Sequence, residues 1–119
     1  MRSVPSNFLL AEPSIVYQEV CGTLARRVGV DVAGKAKVIL DKIIEPSLLI
    51  NCDRDFCLAS YALCCEYKVY SIDAFYLKVA LDLKGILVSL DREDFIDRVK
   101  DKNPPIKVYH VADFSVSLL

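Results

Sequence analysis

Glycine and histidine are scarce in this chain, and their scarcity removes whole classes of chemistry. Four glycines are present, Gly22, Gly29, Gly34 and Gly85, and no two lie closer than five residues. A G-x-G-x-x-G turn or a P-loop needs clustered glycines to bring backbone amides onto phosphates, so neither can be built. His110 is the only histidine, which excludes any site needing two imidazoles. No Cys-x-x-Cys pair occurs among Cys21, Cys52, Cys57, Cys64 and Cys65, so the paired thiolates of a structural zinc site are missing. The odd cysteine count and the absence of a leader segment argue against a secreted disulfide framework and for a cytoplasmic protein. Most of these thiols are expected to be small buried hydrophobes, with a disulfide left open. No apolar run approaches the roughly 20 residues that span a bilayer, so no membrane partner is expected. Fifteen basic residues against sixteen acidic ones leave a net charge of −1, which rules out a broadly cationic nucleic-acid coat but not a local basic rim.

What is abundant is apolar. Hydrophobic residues make up 54% of the 119 positions, enough for a core in one domain over 1–119. Phe8 to Ala11 reads as a buried strand stopped by Glu12-Pro13, and a helix opens at Pro13-Ser14 and runs to about Arg27 with Ile15, Val16, Val20 and Leu24 as its stripe. Gly29 ends it, a second helix covers about Val32 to Ile44, and Leu48 to Ile50 is a candidate strand. Asp53 caps a helix from Arg54 to Tyr67, and another runs from Ser71 to Leu83 or Lys84, ending at Gly85. The near-continuous apolar run Ile86 to Leu90 suits a parallel strand covered on both faces. A short helix from Arg92 to Lys100 and a last strand from about Ile106 to Val111 follow, with no internal repeat. Strands alternating with helices give an α/β protein on a mostly parallel sheet, whose ligands bind beyond the carboxyl ends of the strands.

The candidate chemistry is carboxylate. Glu19 lies beside the apolar stripe of its helix, where a half-buried carboxylate costs several kcal/mol without compensation. An edge position, a pairing with Arg26 and a metal-ligand role all remain open for it. Asp73, in a first helical turn, gains about 0.3–1 kcal/mol from the helix dipole whatever else it does. Asp91 stands at the end of the clearest strand, where it can cap the next helix or hold a ligand. Asp94 and Asp97 fit the solvated face of that helix. Taken together, Glu19, Asp73 and Asp91 fall at element junctions, and clustered carboxylates call for a hard divalent cation such as Mg²⁺ or Mn²⁺.

Two stretches carry a resemblance. Ser71-Ile72-Asp73-Ala74-Phe75-Tyr76-Leu77-Lys78-Val79-Ala80 followed by Leu87-Val88-Ser89-Leu90-Asp91-Arg92-Glu93-Asp94-Phe95 resembles the PIN-domain pattern of the short VapC type. Pro13-Ser14-Ile15-Val16-Tyr17-Gln18-Glu19-Val20 looks like that family's first acidic helix, and the separations of 54 residues from Glu19 to Asp73 and 18 from Asp73 to Asp91 suit its short members. The resemblance implies a three-layer α/β/α sandwich and a metal-dependent endoribonuclease, often the toxin of a toxin–antitoxin pair. It implies Glu19, Asp73 and Asp91 as ligands of Mg²⁺ or Mn²⁺, Asp94 as an accessory ligand and Ser89 as a support. Arg26, Arg27, Lys35 and Lys37 are candidates for the RNA backbone, or are ordinary solvated helix faces. The family pattern begins with a strand ending in aspartate that has no counterpart before Glu19. That departure leads us to expect an incomplete sheet, weakened activity or a catalytically inactive binding module, and a homodimer or larger assembly. An antitoxin protein and RNA are the implied partners.

Overall fold

The computed structural model describes residues 8–114. The chain is of mixed α and β structure with parallel strands, and it divides into two compact units, one ending at Cys52 and the other beginning at Asp53.

In the first unit, β1 (Leu10–Pro13) starts two residues later than the apolar run suggests. Its partner β2 (Ile44–Ile50) starts four residues earlier than the Leu48 to Ile50 stretch and takes in Pro46. The two pair in parallel, Glu12 opposite Leu49 and Pro13 opposite Ile50, with an irregularity between Leu10 and Glu12. Pro46 and Pro13 carry no N–H for a ladder, which confines them to an edge or a bulge. The end of β1 is fastened instead by Ser14, whose N–H donates to the Ile50 carbonyl at 2.8 Å while its Oγ accepts from the Cys52 N–H at 3.1 Å. The first helix carries a π-helical turn at Gln18–Gly22 that leads into α1 (Thr23–Arg27). Gly29 then adopts φ of 143°, a conformation costly for any residue with a Cβ, and starts α2 (Val30–Ile43). Pro13, Val16, Ala33 and Ile44 are the buried residues here.

The second unit begins where local chemistry dictates. The Asp53 carboxylate accepts from the Phe56 N–H at 2.9 Å and caps α3 (Arg54–Tyr67). Lys68 terminates α3 in the left-handed region, and α4 (Ser71–Leu83) follows. Gly85 is not the left-handed residue at the end of α4. Lys84 takes that conformation at φ of 52°, and the Gly85 N–H closes the turn on the Ala80 carbonyl at 2.9 Å. β3 (Ile86–Ser89) pairs in parallel with β4 (Lys107–His110), Ser89 opposite His110. Between them run a π-helical turn (Arg92–Ile96) and α5 (Asp97–Lys100), and a 3₁₀ turn (Val111–Asp113) follows β4. Leu77, Phe95, Ile96 and Val99 lie at the centre of a core completed by Tyr67, Val69, Ala74, Ala80, Leu87 and Val108.

Two sequence-based expectations are corrected by this arrangement. β3 is not covered on both faces, since Val88 is 37% and Leu90 79% exposed. Among the described residues each sheet has two strands, and a two-stranded sheet cannot shield a continuous apolar run. The cysteines are not buried: Cys57 and Cys65 are exposed, Cys21, Cys52 and Cys64 partly so, and none forms a disulfide. The apolar stretch expected from Phe114 to Leu119 lies outside the described residues beyond Phe114.

Candidate functional site

The carboxyl end of β3 is a built turn. The Ser89 hydroxyl accepts from the Asp91 N–H at 3.1 Å, and Asp91 Oδ1 accepts from the Asp94 N–H at 3.1 Å. Asp91 thereby caps the π-helical turn, and its own carbonyl accepts from the Ile96 N–H at 3.1 Å. Ser89, Asp91 and Asp94 are brought together in this one turn. Among the described residues Asp91 Oδ2 has no hydrogen-bond donor, which leaves one carboxylate oxygen for a ligand. Asp91 is half-buried, and Asp94 is further held by Arg98, whose Nη2 lies 3.4 Å from Asp94 Oδ1.

His110 belongs to this end of the sheet too. Its Nδ1 accepts from the Ala112 N–H at 3.1 Å, so its Nε2 carries the proton and donates to the Leu90 carbonyl at 3.0 Å. The imidazole therefore ties the residue before Asp91 to the end of β4. Sequence reasoning missed this role, because His110 and Leu90 meet only through the β3–β4 register.

Asp73 occupies the first turn of α4, half-buried, in the same unit as Asp91 and Asp94. Glu19 belongs to the first unit, within the π-helical turn, and is exposed rather than half-buried. The stripe beside it is itself buried only at Val16, and Val20 is 37% exposed. The burial penalty that singled it out does not arise. Within either unit, no group of three or more described His, Cys, Asp or Glu side chains is placed to hold a metal ion.

The four basic candidates, Arg26, Arg27, Lys35 and Lys37, are exposed on α1 and α2. Lys37 donates to Asp41 Oδ2 at 2.7 Å, and Tyr17 donates to Oδ1 of the same carboxylate at 2.6 Å. Those two hydrogen bonds hold the Asp41 carboxyl below its ordinary range. Lys37 is thus engaged along its own helix.

Glu12 is the titratable group that the sequence undervalued. It sits in β1 beside the buried Pro13, and desolvation pushes its carboxyl up to about 7. Among the described residues no cation or hydrogen-bond donor compensates it. The signal was present as one charge inside the run Leu10 to Pro13. Comparison with protein-family models, curated proteins and solved structures finds no match.

Proposed function

We propose that this chain is a cytoplasmic, Mg²⁺- or Mn²⁺-dependent endoribonuclease of the PIN type, a family whose fold is a three-layer α/β/α sandwich. The observation that supports this reading most is the turn at the end of β3, where Ser89, Asp91 and Asp94 interlock beyond the carboxyl end of a parallel strand. The donors are carboxylate oxygens, the chemistry that hard divalent cations take. Asp73 and Asp91 would hold the ion, and Asp94 would assist. The ion would supply a nucleophilic water for in-line attack on phosphorus and charge compensation for the leaving oxygen. The chain's own part is orientation. Ser89 fixes the backbone of Asp91, the Asp94 amide fixes one of its oxygens, and His110 fixes the residue before it. Titration with Mn²⁺ during an assay on end-labelled single-stranded RNA tests this, with metal-dependent cleavage that falls at least about 100-fold in Asp91→Asn as the expected result. Cleavage that survives Asp91→Asn would place the chemistry elsewhere.

A second reading, an inactive PIN remnant that works as a dimerisation or protein-binding module, is favoured by one observation. The first unit exposes Val28 at 62%, Val30 at 76%, Val38 at 50% and Ile39 at 53%. An apolar surface of this kind suits a second copy or an antitoxin chain. Sedimentation equilibrium separates the readings: a dimer that Val38→Asp dissociates, together with no cleavage, favours the module.

A further inference from the structure

A shallow groove in the second unit is lined by Lys68, Val69, Tyr70, Asp94 and Arg98. It joins the linker between α3 and α4 to the π-helical turn and α5. Its residues are unusual in three respects. Tyr70 is 63% exposed although it immediately follows the buried Val69, and its side chain makes no capping bond to α4. Packing and capping therefore both leave its ring free to meet a ligand. Arg98 is held from two sides, Nη1 donating to the Lys68 carbonyl at 2.8 Å and Nη2 lying 3.4 Å from Asp94 Oδ1. A guanidinium fixed in this way has further N–H donors to offer and little rotamer freedom left to lose. Lys68 takes the left-handed conformation at φ of 59°, is exposed, and forms no ion pair among the described residues.

We propose that this groove binds single-stranded nucleic acid, with a base stacked on Tyr70 and the flanking phosphates on Lys68 and Arg98. An exposed aromatic ring beside cations is the arrangement that takes a base by its face and the backbone by its charge, without reading sequence. Two cations against the single Asp94 carboxylate leave the groove positive on a chain whose net charge is −1, so binding is local rather than a property of the whole surface. The groove is also well placed for a strand approaching the candidate site. Asp94 forms part of its wall while receiving the Asp91 carboxylate at its amide, and Tyr70 lies three residues before Asp73. The choice of RNA as the strand rests on the ribonuclease reading; the groove's chemistry does not.

Fluorescence anisotropy of a short end-labelled oligouridylate, in EDTA to prevent cleavage, tests the groove separately from the nuclease. Tyr70→Ala is expected to weaken binding about tenfold or more, and Tyr70→Phe to retain it, since the ring face does the work. Lys68→Gln is expected to weaken binding and to lower the salt slope by about 0.7, the share of one phosphate on a single strand. Both positions are exposed, and circular dichroism melts check that each variant folds as the parent does. Undetectable binding by the parent, unchanged binding in Tyr70→Ala and Lys68→Gln, or equal affinity for a duplex of the same length would overturn the proposal. Binding that depends on Tyr70 without Mn²⁺-dependent cleavage would leave the groove standing and remove the nuclease reading.

Discussion

Ten buried residues from α3, α4 and the linker between them, the two strands, α5 and the turn before it close one core in the second unit, whereas the first unit buries little beyond Pro13, Val16, Ala33 and Ile44. Both units hold a pair of parallel strands and helices of similar length, so the difference is not one of secondary structure. It lies in where the apolar side chains point. α4 buries Ala74, Leu77, Val79 and Ala80, while α2 buries Ala33 alone and leaves Val30, Val32, Val38 and Ile39 exposed. An amphipathic stripe stabilises a fold only when another surface covers it. The unit that closes its own core is also the one with the interlocked carboxylate turn, and a site held within about half an ångström needs that rigidity.

Mutations can break this contrast. The largest effect is expected at Leu77, fully buried at the centre of the core, where Leu77→Ala should cost about 2–5 kcal/mol in denaturant unfolding. Val38→Ala on the exposed face of α2 should change stability by less than about 0.5 kcal/mol in the monomer. Equal losses at the two positions would show that α2 is covered as well as α4 is.

Next in size is Glu12. The folded chain keeps this carboxyl protonated up to about 7, while the unfolded chain loses the proton near 4.5. The folded state therefore binds more protons in that window, and stability falls as pH rises from about 4.5 to about 7 and stays low above it. Glu12→Gln should remove that fall and gain about 1–3 kcal/mol at pH 8, read from urea midpoints across the pH series. An unchanged pH profile in Glu12→Gln would mean that the carboxyl is hydrated.

His110→Ala removes the ties to Leu90 and to the Ala112 N–H, each worth about 0.5–1.5 kcal/mol. A loss of that size with a weaker Mn²⁺ response would mark His110 as a positioning residue for Asp91, and a stability loss alone would make it purely structural. The smallest effect sharpens the comparison from within the closed core. The Ser60 hydroxyl on α3 is buried with no partner among the described residues, and Ser60→Ala should stabilise by about 1 kcal/mol. A loss instead would reveal a hydrogen bond through buried water.

The same contrast governs how much was legible in the sequence. The second unit's helices were readable because their limits are written locally: Asp53 caps the helix that begins at Arg54, and the stretch from Ser71 to Leu83 is helical as its pattern indicates. In the first unit β1 and β2 were misjudged in extent, because a parallel pair is fixed by a partner more than thirty residues away. Glu19 was misjudged because the apolar stripe assigned to its helix is not covered beyond Val16, and burial of that stripe is a tertiary property that the pattern does not record. Asp91 was found because it follows the clearest apolar run, and its contact with the Asp94 amide is a three-residue capping pattern. His110 and Arg98 were passed over for a common reason. His110 meets Leu90 across twenty residues and Arg98 meets Lys68 across thirty, and no periodicity records such meetings.

The central claim, that the turn at the end of β3 carries metal-dependent chemistry, is tested most directly by Mn²⁺-dependent cleavage of end-labelled single-stranded RNA by the parent chain and by Asp91→Asn. The account predicts cleavage that requires Mn²⁺ and falls at least about 100-fold in Asp91→Asn, as loss of a metal-holding carboxylate does. Equal cleavage by the two chains at saturating Mn²⁺ would contradict it.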